Sequence, residues 1–258
     1  MAKPHVLESP GHWPTALTTP VVHHRKRRRL IGALLLAACG LPGSSVAADD
    51  VGKNHTLPAL AAQFRVTLAR PGRPVQQQTW QLTRDDTLIT WLKGPATEER
   101  WHRDRSGIRL ERVMRNDRHV IEYSAGELRT LGVAIDWPAL GSLFPAASLA
   151  LLKPGAPLRA GQPQRWVGRI GAEQIDLLWD PLKQLPIWLA RKGPNGRVLF
   201  KRVALHPSAP PGWPRAGADT DDFQRLDAAD FGDMAYNPVV RRARAEDERA
   251  GWRKPHHD

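Results

Sequence analysis

The chain predicts a β-rich α+β fold: a curved antiparallel sheet or half-open barrel partly covered by short helical segments. Three observations carry that expectation. Between Phe64 and Ser124, six segments of period two follow one another, separated by PGRP, RDD, DRSG and RND, whose residues tolerate turn dihedrals. Between Ala125 and Lys153 the period changes, and Leu and Ala dominate. Four further strand patterns then run up to Leu205.

In order, LPALAAQF reads as a short opening helix and FRVTLAR as the first strand. VQQQTWQLT, DTLITWL, EERWHR, GIRLERVM and HVIEYS form a meander of short hairpins. Ile108, Leu110 and Val113 break strict alternation and leave the register of GIRLERVM open. GELRTLG and WPALGSLFPAASLALL are short helical turns interrupted by Gly and Pro, suited to cover one mouth or face of a sheet. QRWVGRI, EQIDLLW, LPIWLAR and RVLFKRVAL return to strand, and KGPNG joins the last two with Asn195-Gly196 as the turn signal. Nine or ten strands result. The organisation is then an n-region extension and signal (1–38), a small, polar tether (39–56), a β-rich domain (57–206), and a Pro-containing linker with an acidic and basic tail (207–258).

The N-terminal assignment rests on RKRRRLIGALLLAACG, residues 25–40. Five basic residues precede nine apolar ones, Leu30 to Ala38. A bilayer span needs about 20 residues, so the run suits an export signal instead. Leu36-Ala37-Ala38-Cys39 resembles the lipobox of bacterial lipoproteins, in which the cysteine is diacylated and becomes the new N-terminus. The resemblance implies lipidation of Cys39 and a membrane partner reached through N-terminal acyl chains, with two or more chains needed for stable attachment. Gly40 follows the cysteine where aspartate would favour the inner membrane, so the periplasmic face of the outer membrane is the favoured location. The competing reading is a secretory signal cut after Val46-Ala47-Ala48. The 24 residues before the basic cluster are long for an n-region, and a start near Val21 or Val22 is the simpler expectation.

Of 38 Lys and Arg and 26 Asp and Glu, six and one precede Cys39, so the remainder carries about +7. With one cysteine in the chain, no internal disulfide forms, and packing or a bound partner must stabilise the fold. The basic excess favours anionic lipid, lipopolysaccharide or an acidic protein. Nucleic acid is disfavoured by location and by the interspersed acids.

Nine tryptophans follow Cys39. Trp80, Trp91, Trp101, Trp166, Trp179 and Trp188 lie on strand patterns, where they either fill a sheet core or line an apolar cavity. The order of elements over residues 57–206, from the lipobox through a hairpin series and a helical plug to EQIDLLW…LPIWLARKGPNGRVLFKRVAL, resembles the lipoprotein-sorting carrier and receptor family. That resemblance implies an unclosed barrel whose apolar cavity takes acyl chains, with a lipid or acylated ligand bound in it. The Asp-rich tail has no counterpart in the family.

Enzyme chemistry is not expected. No G-x-S-x-G or H-E-x-x-H occurs. His102-Arg103-Asp104 and Asp230-Phe231-Gly232 mimic kinase signatures, but Arg109 stands where the magnesium-binding Asn belongs. No cofactor is implied. In the tail, Asp227, Asp230 and Asp233 recur every three residues and are weak candidates for a metal, without an EF-hand pattern. Pairing and capping with arginines is the plainer role. Asn237 before Pro238 marks a helix start, and Glu246 and Arg249 are spaced to pair on it. Two functions follow: a membrane-anchored binder of a hydrophobic or acyl-chain ligand, or an accessory envelope lipoprotein holding a protein partner by its sheet edge and tail.

Overall fold

The computed structural model describes residues 57–94, 97–156, 159–213 and 219–252. The signal, Cys39 and the tether lie outside the described residues, as do the last six residues and the side chain of Arg249.

β1 (Leu60–Ala69) lies inside the sheet, between β2 (Gln76–Arg84) and β11 (Gly196–His206). On the β2 side follow β3 (Leu88–Lys93), β4 (Thr97–Asp104), β5 (Gly107–Met114) and β6 (His119–Tyr123). On the β11 side follow β10 (Leu185–Gly193), β9 (Glu173–Asp180), β8 (Gln164–Ile170) and the two-residue edge β7 (Lys153–Pro154). All these pairings are antiparallel. β12 (Gln224–Asp227) adds to β6 in parallel, giving one open sheet of twelve strands. The β-rich α+β class expected from sequence is the observed one.

The opening helix expected in LPALAAQF is replaced by strand from Leu60 onward. Leu60, Ala62, Phe64, Val66 and Leu68 alternate onto one buried face, and both neighbours pair with β1. Two ladders satisfy its backbone groups, and this outweighs the helix preference of Leu and Ala. The two strands beyond the expected ten are β7 and β12, too short for periodicity to reveal.

α1 (Ala125–Thr130), α2 (Trp137–Leu140) and a 3-10 turn at Ala146–Leu151 lie between β6 and β7 in sequence. Ser124 and Glu127 form a capping box on α1, and Asp136 caps α2 by accepting from the Ala139 amide. Leu128, Trp137, Leu143 and Phe144 join Phe64, Leu82, Trp91 and Leu110 in one core, so these helices cover that face of the sheet. α3 (Pro238–Arg249), capped by Asn237, covers the same face through Val239, Val240 and Ala243. β10 and β11 meet at a two-residue turn, since Gly193 pairs with Gly196. Gly196 has φ +120°, and a Cβ there would stand 2.2 Å from the Ala69 carbonyl oxygen, so only glycine fits.

Candidate functional site

The two ends of the sheet carry the chemistry. At the β6 end the residues from 219 onward fold back onto the sheet. Asp219 and Thr220 bond the buried Arg100, at 2.8 and 3.1 Å, on the face turned away from the helices. Glu98 completes that cluster, 2.6 Å from Arg100 and also bound by Arg115. The chain then runs beside β6 as β12, where Leu226 pairs with Ile121 and Arg225 binds Glu122. α3 returns over the covered face and brings Asp247 to Arg112, 2.6 Å away. Tyr123 accepts from the same guanidinium at 3.0 Å, Glu246 lies 3.5 Å from it, and Trp252 stacks on it at 5.1 Å. Burial opposes the charge of Arg112, but Tyr123, Asp247 and Glu246 outweigh it and hold the group above its ordinary pKa. One acidic segment is thus gripped on both faces of the sheet and along its edge.

The imperfect alternation of GIRLERVM is explained here. Leu110, Arg112 and Met114 point to the covered face, where Arg112 occupies an apolar-type position because α3 supplies its counter-charge. Val113 and Val120 pair on the opposite face and are also buried.

The opposite end has the reverse balance. On the uncovered face, Arg169, Gln174, Lys192 and Arg197 form one cross-strand rung over β8, β9, β10 and β11. The next rung is Val167, Asp176, Ala190 and Leu199. These residues other than Leu199, with Lys153 of β7 and Arg165, line a groove of about 660 Å³. Its single carboxylate, Asp176, is held by Arg165 at 2.7 Å. Among the described residues, Lys153, Arg169, Lys192 and Arg197 have no carboxylate partner.

The tryptophan candidates do not converge on one place. Trp91, Trp101 and Trp179 are 2–4% exposed and belong to the covered core. Trp91 donates to the Leu140 carbonyl at 2.7 Å, and Trp101 meets Trp252 edge-on at 6.4 Å. Trp80 is half-buried on the same face, edge-on to Trp91 and Phe200, and Trp166 packs at the far side of that core. Trp188 points to the uncovered face, opposite Leu178 and Lys201. Asp227, Asp230 and Asp233 are not gathered into a ligand set, and among the described residues no three potential metal ligands are. Asp227 instead accepts from the Ala229 amide and caps the 3-10 turn Ala228–Phe231, whose Phe231 is buried. His102 lies 3.4 Å from Glu111 on the uncovered face.

Sequence reading missed Arg84, Arg100 and Arg112, since a single chain marks no arginine as buried. It also missed the Arg169–Lys192–Arg197 rung. Lys192 and Arg197 lie at equal distance from the two-residue turn Pro194-Asn195, so the length of that turn was the one signal that could have placed them opposite each other.

No protein-family model and no curated protein matches this chain. Among solved structures, the chain is similar to MucB in complex with MucA(peri), at 16% identity over 63% of this chain and 55% of that one, with a TM-score of 0.32. It is also similar to the LolA superfamily protein NE2245 from Nitrosomonas europaea, at 9% identity over 59% and 87%, with a TM-score of 0.32. A third similarity is to the MucA/MucB complex of Pseudomonas aeruginosa, at 15% identity over 60% and 53%, with a TM-score of 0.30. The chain spans about half the length of the two MucB-containing matches.

Proposed function

We propose that this protein is a non-catalytic, membrane-tethered accessory protein of the bacterial envelope, which holds a protein partner by its sheet edge and C-terminal segment. The observation that carries the reading is the capture of residues 219–252. This sheet holds an acidic polypeptide by adding it to the edge of β6 and pairing it with buried arginines. Edge addition with side-chain pockets is a general mode of polypeptide recognition. The captured segment turns Tyr236, 94% exposed, to solvent between the 3-10 turn and α3, and an exposed aromatic of this kind suits an interface anchor. The lipobox-like Leu36-Ala37-Ala38-Cys39 supports attachment to the periplasmic face of a membrane, the outer one favoured by Gly40.

Acyl-chain binding on the covered face is the competing function. There Trp91 and Trp101, which would line such a cavity, are packed against Phe64, Trp80 and Trp252. The test places a photo-reactive side chain at Tyr236 in the protein in its native envelope, followed by intact mass and lipid extraction. A discrete protein adduct and a mass beginning at acylated Cys39 are expected. A co-purified acyl lipid without a protein adduct rejects partner holding, and unmodified protein beginning at Asp49 rejects the anchor.

A further inference from the structure

We propose that the basic groove over β8–β11 is a docking site for an extended, acidic polypeptide segment of the partner; the proposal rests on the partner-holding function above. Lys192 and Arg197 stand directly opposite each other across an antiparallel pair, and Arg169 shares their rung, with only Gln174 between the strands. Like charges directly opposite on one face destabilise a sheet. Other cations on these strands show the usual remedy, a carboxylate on the neighbouring strand: Asp176 for Arg165 and Glu173 for Arg191. The rung lacks that remedy, so its positive field is left for a ligand to neutralise.

The shape selects a polypeptide. On the adjacent rung the apolar Val167 and Ala190 flank Asp176, which Arg165 already neutralises, and this matches an extended chain that alternates acidic and apolar side chains. β7 pairs with β8 at Trp166 and Val167, and the Gly155 amide donates to the Arg165 carbonyl, so the ladder stops before Arg169 and main-chain pairing can continue there. The other end of the same sheet already binds its own acidic segment by edge addition and arginine pairing. A bilayer is flat and meets protruding basic surfaces, whereas this one is a concavity of about 660 Å³.

The test uses the full chain in zwitterionic detergent and a fluorescent peptide of alternating Glu and Val, read by anisotropy. Wild type is expected to bind, more weakly as salt rises. R169E/K192E is expected to lose roughly tenfold or more in affinity and to gain binding of the corresponding Lys-Val peptide. R105E, on the exposed β4–β5 turn, is expected to bind as wild type does. Equal affinity in wild type and R169E/K192E overturns the proposal. So does groove-dependent binding to phosphatidylglycerol vesicles without peptide binding, or groove-dependent self-association of the chain. A photo-reactive group at Lys192 or at Tyr236 in the native envelope separates the two readings. Protein adducts at Tyr236 alone sink the groove and keep the partner; lipid adducts alone at both sites sink both.

Discussion

Arg84 carries a buried positive charge and bonds only carbonyl oxygens, those of Pro58, Gly141, Lys183 and Gln184. It ties the start of the domain to the turn after α2 and to the β9–β10 turn. Burial lowers its pKa to about 10, so it stays charged at neutral pH. Arg84→Leu leaves those carbonyls without a donor and is expected to cost about 3 kcal/mol in chemical denaturation. Arg84→Lys should recover only part, because a compact ammonium cannot span the four acceptors. Glu111 makes the complementary case. His102 at 3.4 Å and Arg109 at 2.8 Å hold its carboxyl down at about 2 against the opposing effect of burial. Because its folded pKa lies below its unfolded one, the stabilisation is complete above about pH 4.5 and is lost as pH falls toward about 2. Glu111→Gln should therefore flatten the pH dependence of the unfolding midpoint in that window, as followed by thermal unfolding across pH. Neither residue was legible in the sequence, where Arg84 sits in QLTRDD like any strand-end arginine.

At the scale of elements, the segment from 219 to 252 is held both by buried apolar side chains, among them Leu226, Phe231 and Val240, and by charge. α3 places Asp247 under a helix whose other buried positions are Val239, Val240 and Ala243. Removing one member of a buried pair is far worse than replacing both. Asp247→Ala is expected to cost about 3 kcal/mol because it removes the nearest counter-charge of the buried Arg112, whereas R112M/D247L should recover most of the loss in the same denaturation experiment. If the single and double variants are equally destabilised, the pair is not what holds the helix. The start of α3 was readable, since Asn237 and Pro238 are a local signal satisfied by backbone geometry alone. The docking of α3 was not, because its partner Arg112 lies 135 residues away from Asp247 in sequence.

Across the whole molecule, β1 is paired on both sides over most of its length, whereas β12 is a four-residue parallel addition at the rim. Exposed pairs such as Arg118 with Asp222 and Arg242 with Asp117 tie the C-terminal segment down, and salt screens such pairs. Hydrogen exchange read by mass spectrometry should show β12 and α3 opening ahead of β1 and β11, and the gap should widen as salt rises. A single common opening rate for all four would mean that the segment is an inseparable part of the core.

Much of the architecture was legible because it is local. Period two named ten of the twelve strands, the change of period located the helices that cover one face, and turn residues set the hairpin order. The opening helix failed where tertiary pairing on both sides of β1 overrode the local preference of LPALAAQF. The six tryptophans could be placed on strands but not on a face or in a pocket, since which face is covered depends on where the helices pack: Trp188 alternates with the buried Leu189 and so points to the uncovered face.

By itself, the sequence determined the β-rich class, the order of its hairpins and the cap of its last helix. These depend on neighbours along the chain. Only the tertiary structure decided that the acidic tail is spent on the arginines of β4 and β5, and that Arg169, Lys192 and Arg197 share a rung that itself holds no acid. Charges interact through space, and the distances that decide which cation is neutralised and which is left for a partner exist only once the sheet has formed.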